Sequence, residues 1–519
     1  VVIAESRAYG ELPSVKCNHV SARSMEQYRR LGVARQLRTA GLPADYPNDV
    51  AFRTSMTGAE LARIPIPCRA DRYAETKGPD ASWSTPEPPH RINQIYMEPI
   101  LLRHTAALPG VTLLSRTRVT GFTQDTNGVH ATALNLDDGG ERTIRCAYLV
   151  GCDGGSSGVR KGIDARLEGT AVVQRVQSTF IRAPQLGAMV QGKPAWSTYA
   201  VNPRRCGTVF AIDGHETWLV HNHLNADELE FDSVDRDVAI RHILGVGSDF
   251  RYEVISKEDW VGRRLVAERF RDRRVFLAGD AAHLWVPYAG YGMNAGIADA
   301  LNLSWLLAAR LQGWASEDIL DAYEAERQPI TDQVSRFAMD HAQKMMKARR
   351  AVPPEIEAPG PHGDALRAEV GREAYDLNVQ QFCCAGLNFG YFYTGSPIIV
   401  ADDETPPDYA MGSFTPSTVP GCRAPHIWLR DGSSLYDAFG PGYTLMRLDP
   451  TIDTSGLLAA AHARRIPLVQ LDLSNEDVPD AYRHKLLMCR PDQHIAWRAD
   501  APPENPGWLM DRLRGAITV

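Results

Sequence analysis

The strongest constraint in this 519-residue chain is a short run near its middle. Arg274-Val275-Phe276-Leu277-Ala278 has the continuous apolar character of a buried strand, and it leads directly into Gly279-Asp280-Ala281-Ala282-His283. A strand that ends in Gly-Asp places one carboxylate at the C-terminal edge of a sheet. Open α/β folds bind ligands at that edge, and the carboxylate can accept a hydrogen bond from a hydroxyl there. Pro287, Gly290, Gly292, Met293 and Asn294 follow. Glycines at such positions remove side chains where a flat ring must approach the backbone. A helix pattern beginning near Asn294 would aim free N–H groups and a positive dipole end at that ring, stabilising negative charge on it. A ribityl chain on Asp280 and a reducible isoalloxazine above the glycines meet all three conditions, so the run implies a flavin site.

Composition narrows the partners. A net charge of −7 argues against a broad nucleic-acid or anionic-membrane surface, both of which need a basic excess. The arginine runs at 269–274 and 349–350 read as solvated faces. No apolar stretch reaches the ~20 residues that a membrane span needs. Nine cysteines without a CxxC pair fit reduced thiols in a cytoplasmic protein. Cys383-Cys384 reads as core packing, because adjacent cysteines bridge only with strain. His221 and His223 share one strand face, but no third ligand accompanies them, so no metal is expected.

Along the chain, Met25, Tyr28 and Leu31 make one apolar face on a helix expected over Ser21–Leu37. Prolines and polar residues from Pro43 to His90 suggest a substrate-side excursion or lid rather than sheet core. A helix is expected over Met97–Ala107, then strands with hairpin turns at Asn127-Gly128 and Asp138-Gly139. Alternating strands follow, among them Trp196–Val201, Gly207–Ile212 and Thr217–His223, and then helices over Ala298–Leu311 and Asp318–Lys347. Prolines 353, 354, 359 and 361 mark a linker. The domain boundaries expected are 1–172 and 267–350 for two parts of a cofactor domain, 173–266 for a substrate sheet, 351–397 for the linker and 398–519 for a C-terminal domain.

The central block, continued by Gly296-Ile297-Ala298-Asp299-Ala300, Asn302-Leu303 and Trp305, resembles the GD motif of the class A flavoprotein aromatic monooxygenases, the para-hydroxybenzoate hydroxylase-like family. The segment Tyr148-Leu149-Val150-Gly151-Cys152-Asp153-Gly154-Gly155-Ser156-Ser157-Gly158-Val159-Arg160 is similar to the family's DG motif, which in relatives lies close to the FAD pyrophosphate and the nicotinamide path. Ser21-Ala22-Arg23-Ser24-Met25-Glu26, and Gln94 before Met97-Glu98-Pro99, agree in order. Tyr409, the run Pro420 to His426 and the run Leu435 to Gly440 resemble the thioredoxin-like appendage of the phenol hydroxylase and polyketide hydroxylase branch. That appendage lacks a redox CxxC here, so it reads as structural, with a homodimer contact as a candidate role.

The resemblance implies an α/β fold: a Rossmann-like FAD-binding domain interleaved with a β-sheet substrate domain, plus a C-terminal thioredoxin-like domain. It implies FAD, with NADPH or NADH as co-substrate, and hydroxylation of a small phenolic aromatic by O2 through a flavin C4a-hydroperoxide. Asp280 would hold the ribityl chain, and Pro287, Gly290, Gly292, Met293 and Asn294 the isoalloxazine. Asp153 would support the cofactor, Glu5 would hold the adenosine ribose, and Gln94 would approach the ribityl or ring. Lys16 stands where relatives often carry an arginine near the FAD phosphates, which keeps the charge but loses the bidentate fork. Tyr199 is the candidate for a hydroxyl touching the phenol, and Pro287 and Tyr288 stand beside the reacting ring. Trp196, Asn202 and Phe210 fit either core or pocket wall.

Gly290-Tyr291-Gly292 lacks a spaced third glycine and belongs to the ring loop, not to a pyrophosphate loop. Glu5 looks like the end of a second Rossmann strand, and its glycine fingerprint should lie about 20 residues earlier, so a short N-terminal segment is expected before Val1. Two alternatives stay open: an oxygenase acting on a polyketide or antibiotic, and a non-catalytic flavin-binding protein. A halogenase is disfavoured because its WxWxIP signature is absent.

Overall fold

The computed structural model describes residues 1–75, 77–81, 83–286 and 288–517; Pro287, assigned above to the ring, lies outside them. Two parallel strands organise the cofactor half. Val275–Leu277 pairs with Leu149–Gly151, with Leu277 opposite Gly151, so the two glycine-aspartate loops leave the same sheet edge side by side. All three residues of Val275–Leu277 are buried, as their unbroken apolar run predicts. A second parallel pair joins Val2–Ala4 to Thr112–Leu114. The helix after the central block spans Tyr291–Leu311, starting earlier than its apolar pattern suggests because Gly290 takes a left-handed conformation and turns the chain into it. A second long helix, Asp321–Arg350, packs beside it.

An eight-stranded sheet forms the other half. Its order is His283–Leu284, Glu253–Ala267, Leu167–Arg182, Thr217–His223, Gly207–Ala211, Ser197–Ala200, Val50–Arg53 and Glu60–Ile64. The edge strand belongs to the central block itself: Leu284 pairs with Leu265 and His283 with Val266. The substrate sheet is thus stitched to the loop that carries Asp280.

Three expectations change here. The stretch Pro43–His90 is not purely an excursion, because Val50–Arg53 is buried throughout and pairs in parallel with Ser197–Ala200. Its partner Glu60–Ile64 closes the sheet edge. The helix expected over Ser21–Leu37 divides into Ala22–Arg30 and Ala34–Arg38, broken where Gly32 adopts φ +77°. The expected linker 351–397 contains a 22-residue helix, Pro361–Phe382, which lies on the strand Glu60–Ile64 so closely that a Cβ on Gly371 would sit 2.2 Å from Leu61 O.

The C-terminal domain carries a four-stranded sheet in the order Leu468–Asp472, Tyr443–Arg447, Leu486–Cys489, Ile495–Ala499, the first pair parallel and the others antiparallel. Helices Ser455–Ala463 and Pro506–Leu513 accompany it, a thioredoxin-like arrangement. Among the described residues no helix is long and apolar enough to cross a membrane.

Candidate active site

Asp280 sits in a tight turn held from behind. Asp299, fully buried on the following helix, accepts the Gly279 N–H at 3.1 Å, His283 Nε2 at 2.7 Å and Arg327 Nε at 2.9 Å. Burial alone would raise the Asp299 pKa, but the His283 and Arg327 charges override it and hold the carboxyl below its usual range. The turn can dock on the helix because both contact residues lack side chains: a Cβ on Gly296 would lie 3.1 Å from Gly279 Cα. Asp280 itself makes no hydrogen bond among the described residues and faces an open cavity. Desolvation pushes its pKa upward, opposed by His283 and Lys16.

The other expected cofactor residues take more varied positions. Asp153 is committed to its own loop, accepting Gly158 N at 2.7 Å and Val159 N at 3.1 Å as well as the Ser157 hydroxyl. Its loop reaches the neighbouring one through Arg160, which donates to Ala281 O and Gly155 O, both at 2.9 Å. Asn294 is also spent on structure. Its Oδ1 accepts Ser21 N at 2.9 Å and Ser24 Oγ at 2.7 Å, while its Nδ2 donates to Gly290 O at 2.7 Å and His19 O at 3.2 Å. The side chain therefore fixes the ring loop, and only its backbone remains for a ligand.

Glu5 follows the strand Val2–Ala4 and accepts Arg7 N at 2.9 Å. Burial opposes its ionisation, yet contacts with Arg7 win and lower its pKa. Arg7 also pairs with Glu98 at 3.0 Å, and Glu98 accepts from Gln94, so Glu5 and Gln94 stand at the two ends of one polar chain. Lys16 lies beside the cavity and pairs with Glu258 of the substrate sheet.

A cavity of about 390 Å³ joins the central loop to the sheet. Asp280, Tyr288, Gly290, Gly292 and Met293 line one side, and Trp196, Tyr199, Phe210, His221, His223 and Trp260 the other. The aromatic side is continuous. Ring centroids run Phe52 to Tyr199 at 5.2 Å, Tyr199 to Phe382 at 6.3 Å, Phe382 to Trp196 at 6.2 Å and Trp196 to Phe210 at 5.4 Å. His221 then lies 5.4 Å from Phe210 and 5.9 Å from Trp260. The Tyr288 hydroxyl donates to Gln174 Oε1 at 2.9 Å and accepts from Arg349 Nη2 at 3.2 Å. Burial, then the neighbouring Tyr288, pushes the Tyr199 hydroxyl pKa upward, so it stays a neutral donor. Asn202, in contrast, ties a turn: its Nδ2 donates to Thr54 O at 2.6 Å, and its Oδ1 accepts Arg204 N at 3.1 Å and Arg205 N at 3.0 Å. His221 and His223 are half-buried and uncharged, desolvation bringing His221 down to about 4 and His223 further below its ordinary value.

Residues 1–338 match the FAD binding domain family, and residues 417–518 match the aromatic-ring hydroxylase C-terminal family. The chain belongs to the FAD-dependent aromatic-ring hydroxylases. This hydroxylase is 31% identical over 498 residues to the FAD-dependent monooxygenase opdD of Penicillium oxalicum, covering 92% of this chain and 94% of that one. It is 29% identical over 540 residues to phenol 2-monooxygenase of a Pseudomonas species, covering 95% and 85%. Among solved structures, the rebeccamycin biosynthetic enzyme RebC with bound 7-carboxy-K252c superimposes with a TM-score of 0.89 at 32% identity, covering 99% of this chain and 94% of that one.

The hydroxylase's own residues fit FAD. A carboxylate with no hydrogen bond among the described residues faces the cavity at Asp280, and a Cβ on Gly292 would meet nothing within 4 Å, leaving bare backbone where a ring can lie. The N-terminus of Tyr291–Leu311 points its free N–H groups toward the same place.

Several cavity residues escape a reading of the sequence. Phe382 comes from the expected linker, Trp260 from a long strand of otherwise polar pattern, and His19 and Arg91 from loops before helices. Only His19 carries a local signal, since it lies in the segment just ahead of Ser21-Ala22-Arg23.

Proposed function

We propose that this hydroxylase uses NAD(P)H and O2 to hydroxylate a phenolic aromatic compound held between the Asp280 loop and the aromatic face of the eight-stranded sheet. The observation that carries the reading is the single cavity joining those two surfaces. Asp280 accepts a ribityl hydroxyl, Glu5 holds the adenosine ribose, and the backbone of residues 290–294 lies against the ring. FAD, when bound there, supplies the two-electron chemistry and the activation of dioxygen that closed-shell side chains lack. The protein's part is position and exclusion of water. Tyr199, kept neutral, donates a hydrogen bond to a substrate oxygen, while Tyr288, held by Gln174 and Arg349, forms the wall beside the ring.

The aromatic wall formed by Tyr199, Phe382, Trp196, Phe210, His221 and Trp260 favours a fused-ring, polyketide-like substrate over a single phenol ring, because it offers the cavity more aromatic surface than one ring needs. Putative polyketide hydroxylases of Streptomyces are among the relatives, which agrees with this choice. The test is a panel of simple phenols and hydroxylated polycyclic quinones, scored for stimulation of NAD(P)H oxidation with hydrogen peroxide measured in parallel. Coupled oxidation with a fused-ring phenol is expected. Stimulation by no phenolic compound would sink the reading.

A further inference from the structure

A second cavity, of about 260 Å³, shares Gln174 and His223 with the central one and is reached from solvent past the exposed Asn225 and Arg350. It lies between the strand Leu167–Arg182, the turn that follows Ser197–Ala200 and the end of the helix Asp321–Arg350. Arg175, Arg204, Arg205, Arg349 and Arg350 line it, and among the described residues no aspartate or glutamate does. In a chain of net charge −7, one space walled by five guanidinium groups is a strong local reversal of sign.

Two of these arginines are neutralised from outside the cavity. Arg204 pairs with Glu357 at 2.7 Å, and Arg205 with Glu228 through two bonds of 2.8 Å. Among the described residues Arg175, Arg349 and Arg350 pair with no carboxylate. Arg175 and Arg349 are half-buried, so solvent only partly compensates their charge. Arg349 donates to the Tyr288 hydroxyl at 3.2 and 3.3 Å, an acceptor without charge. Its field is felt inward: after burial, the Arg349 charge is the next cause that holds His223 below its ordinary pKa. The complement of three unmatched guanidinium groups is a group with several charged oxygens, and a phosphate ester is that group. The space is several times the ~30 Å³ share of one water, so a bare ion would leave most of it empty. Val172, Leu224 and Met346 offer apolar wall to the rest of a larger ligand.

We propose that this arginine cavity holds the phosphomonoester of a nucleotide ligand other than FAD, and that Arg349 carries its occupancy to Tyr288. A phosphate offers Arg349 charged oxygens where Tyr288 offers a neutral one, so the guanidinium turns to the ligand. The Tyr288 hydroxyl then keeps only its bond to Gln174, at 2.9 Å, and the wall of the central cavity loosens. Two ligands carry such a group on a nucleotide: NADPH at its ribose 2′ position, and a coenzyme A thioester of the aromatic substrate at the 3′ position. The relay rests on the reading of Tyr288 as the wall beside the ring, and the phosphate site does not.

The test titrates the FAD-loaded enzyme, whose flavin-nucleotide site is filled, with 2′,5′-ADP, 3′,5′-ADP, 5′-AMP and inorganic phosphate by calorimetry at constant ionic strength. One bisphosphate is expected to bind roughly tenfold or more tightly than 5′-AMP or inorganic phosphate, 2′,5′-ADP naming the dinucleotide and 3′,5′-ADP the thioester. Arg350→Gln and Arg175→Gln should each weaken that binding by roughly threefold or more while urea unfolding stays as in wild type. Bisphosphates that bind no better than 5′-AMP, or inorganic phosphate that binds as well as either, overturn the site, and the wild-type enzyme alone decides this. So does a preference that survives both arginine variants, which would place the phosphate elsewhere on the protein. The relay has its own readout: filling the cavity should shift the flavin absorption band in wild type and not in Tyr288→Phe. A band unmoved at saturation, or an identical shift in Tyr288→Phe, overturns the relay, and the arginine variants still decide the site.

Discussion

The Asp299 carboxylate accepts the backbone N–H of Gly279 at 3.1 Å, one residue before the carboxylate that faces the cavity. Because the same side chain also balances His283 and Arg327, replacing it with alanine leaves buried polar groups without a partner. Asp299→Ala is expected to cost about 3–5 kcal/mol in urea unfolding. A pH series adds a check of sign. The folded Asp299 pKa is lowered, so its contribution is present above the unfolded carboxylate value and is lost as pH falls through the folded one. The Asp299 contribution to the difference between wild type and Asp299→Ala should therefore shrink in strong acid.

Gly292 separates stability from function. It lies in the first turn of Tyr291–Leu311, and an added Cβ meets no protein atom within 4 Å. Gly292→Ala should stabilise the apoprotein by about 0.5–1 kcal/mol, since alanine loses less backbone entropy in a helix. The same methyl occupies the surface assigned to the flavin ring, so FAD affinity should fall at least tenfold. Thermal unfolding of the apoprotein and flavin fluorescence titration read the two effects separately, and unchanged FAD affinity would remove the glycine loop from the ring site.

Asp280→Asn should act in the opposite sense to a structural carboxylate. Desolvation raises the Asp280 pKa in the fold, so ionising it disfavours the folded apoprotein, and this penalty grows as pH rises from the unfolded value through the folded one. Above that window the asparagine variant should be at least as stable as wild type without flavin, and should purify colourless. Full yellow occupancy would contradict the ribityl role.

The backbone of this site could be read from the sequence, and the side-chain commitments could not. Val275–Leu277 followed by Gly279-Asp280 fixes a strand, an edge and a turn through local chemistry alone. Asn294 looked like a ring contact because it sits in the right loop, yet its amide joins Ser21, Ser24, His19 and Gly290, partners up to 275 residues away. Val50–Arg53 escaped for a different reason: four residues inside a proline-rich stretch carry too little period to announce a strand, and their pairing with Ser197–Ala200 is a tertiary event. Phe382 was hidden by the prolines around residue 354, which do end a helix but say nothing of the 22-residue helix that follows.

The C-terminal domain is clamped to the flavin domain by buried charge. Arg490 Nη2 reaches Glu326 Oε2 at 2.8 Å and Asp492 Oδ2 at 2.6 Å, and Glu326 also accepts Asn302 Nδ2 and Ser396 Oγ, each at 2.6 Å. Arg490 and Glu326 side chains are both at 0% exposure, so neither can recover solvation if its partner is removed. Glu326→Gln and Arg490→Met should each destabilise by about 3–5 kcal/mol, whereas the double variant should lose less than the sum, because the two charges of the Arg490–Glu326 pair leave together and only Asp492 loses its partner. Denaturant unfolding of the four proteins measures the coupling. Additive losses would mean that the pair acts through separate contacts. A strong coupling would show that the domain without a redox CxxC serves as a brace for the helix Asp321–Arg350, which carries Arg327 and through it holds Asp299 and the Asp280 turn.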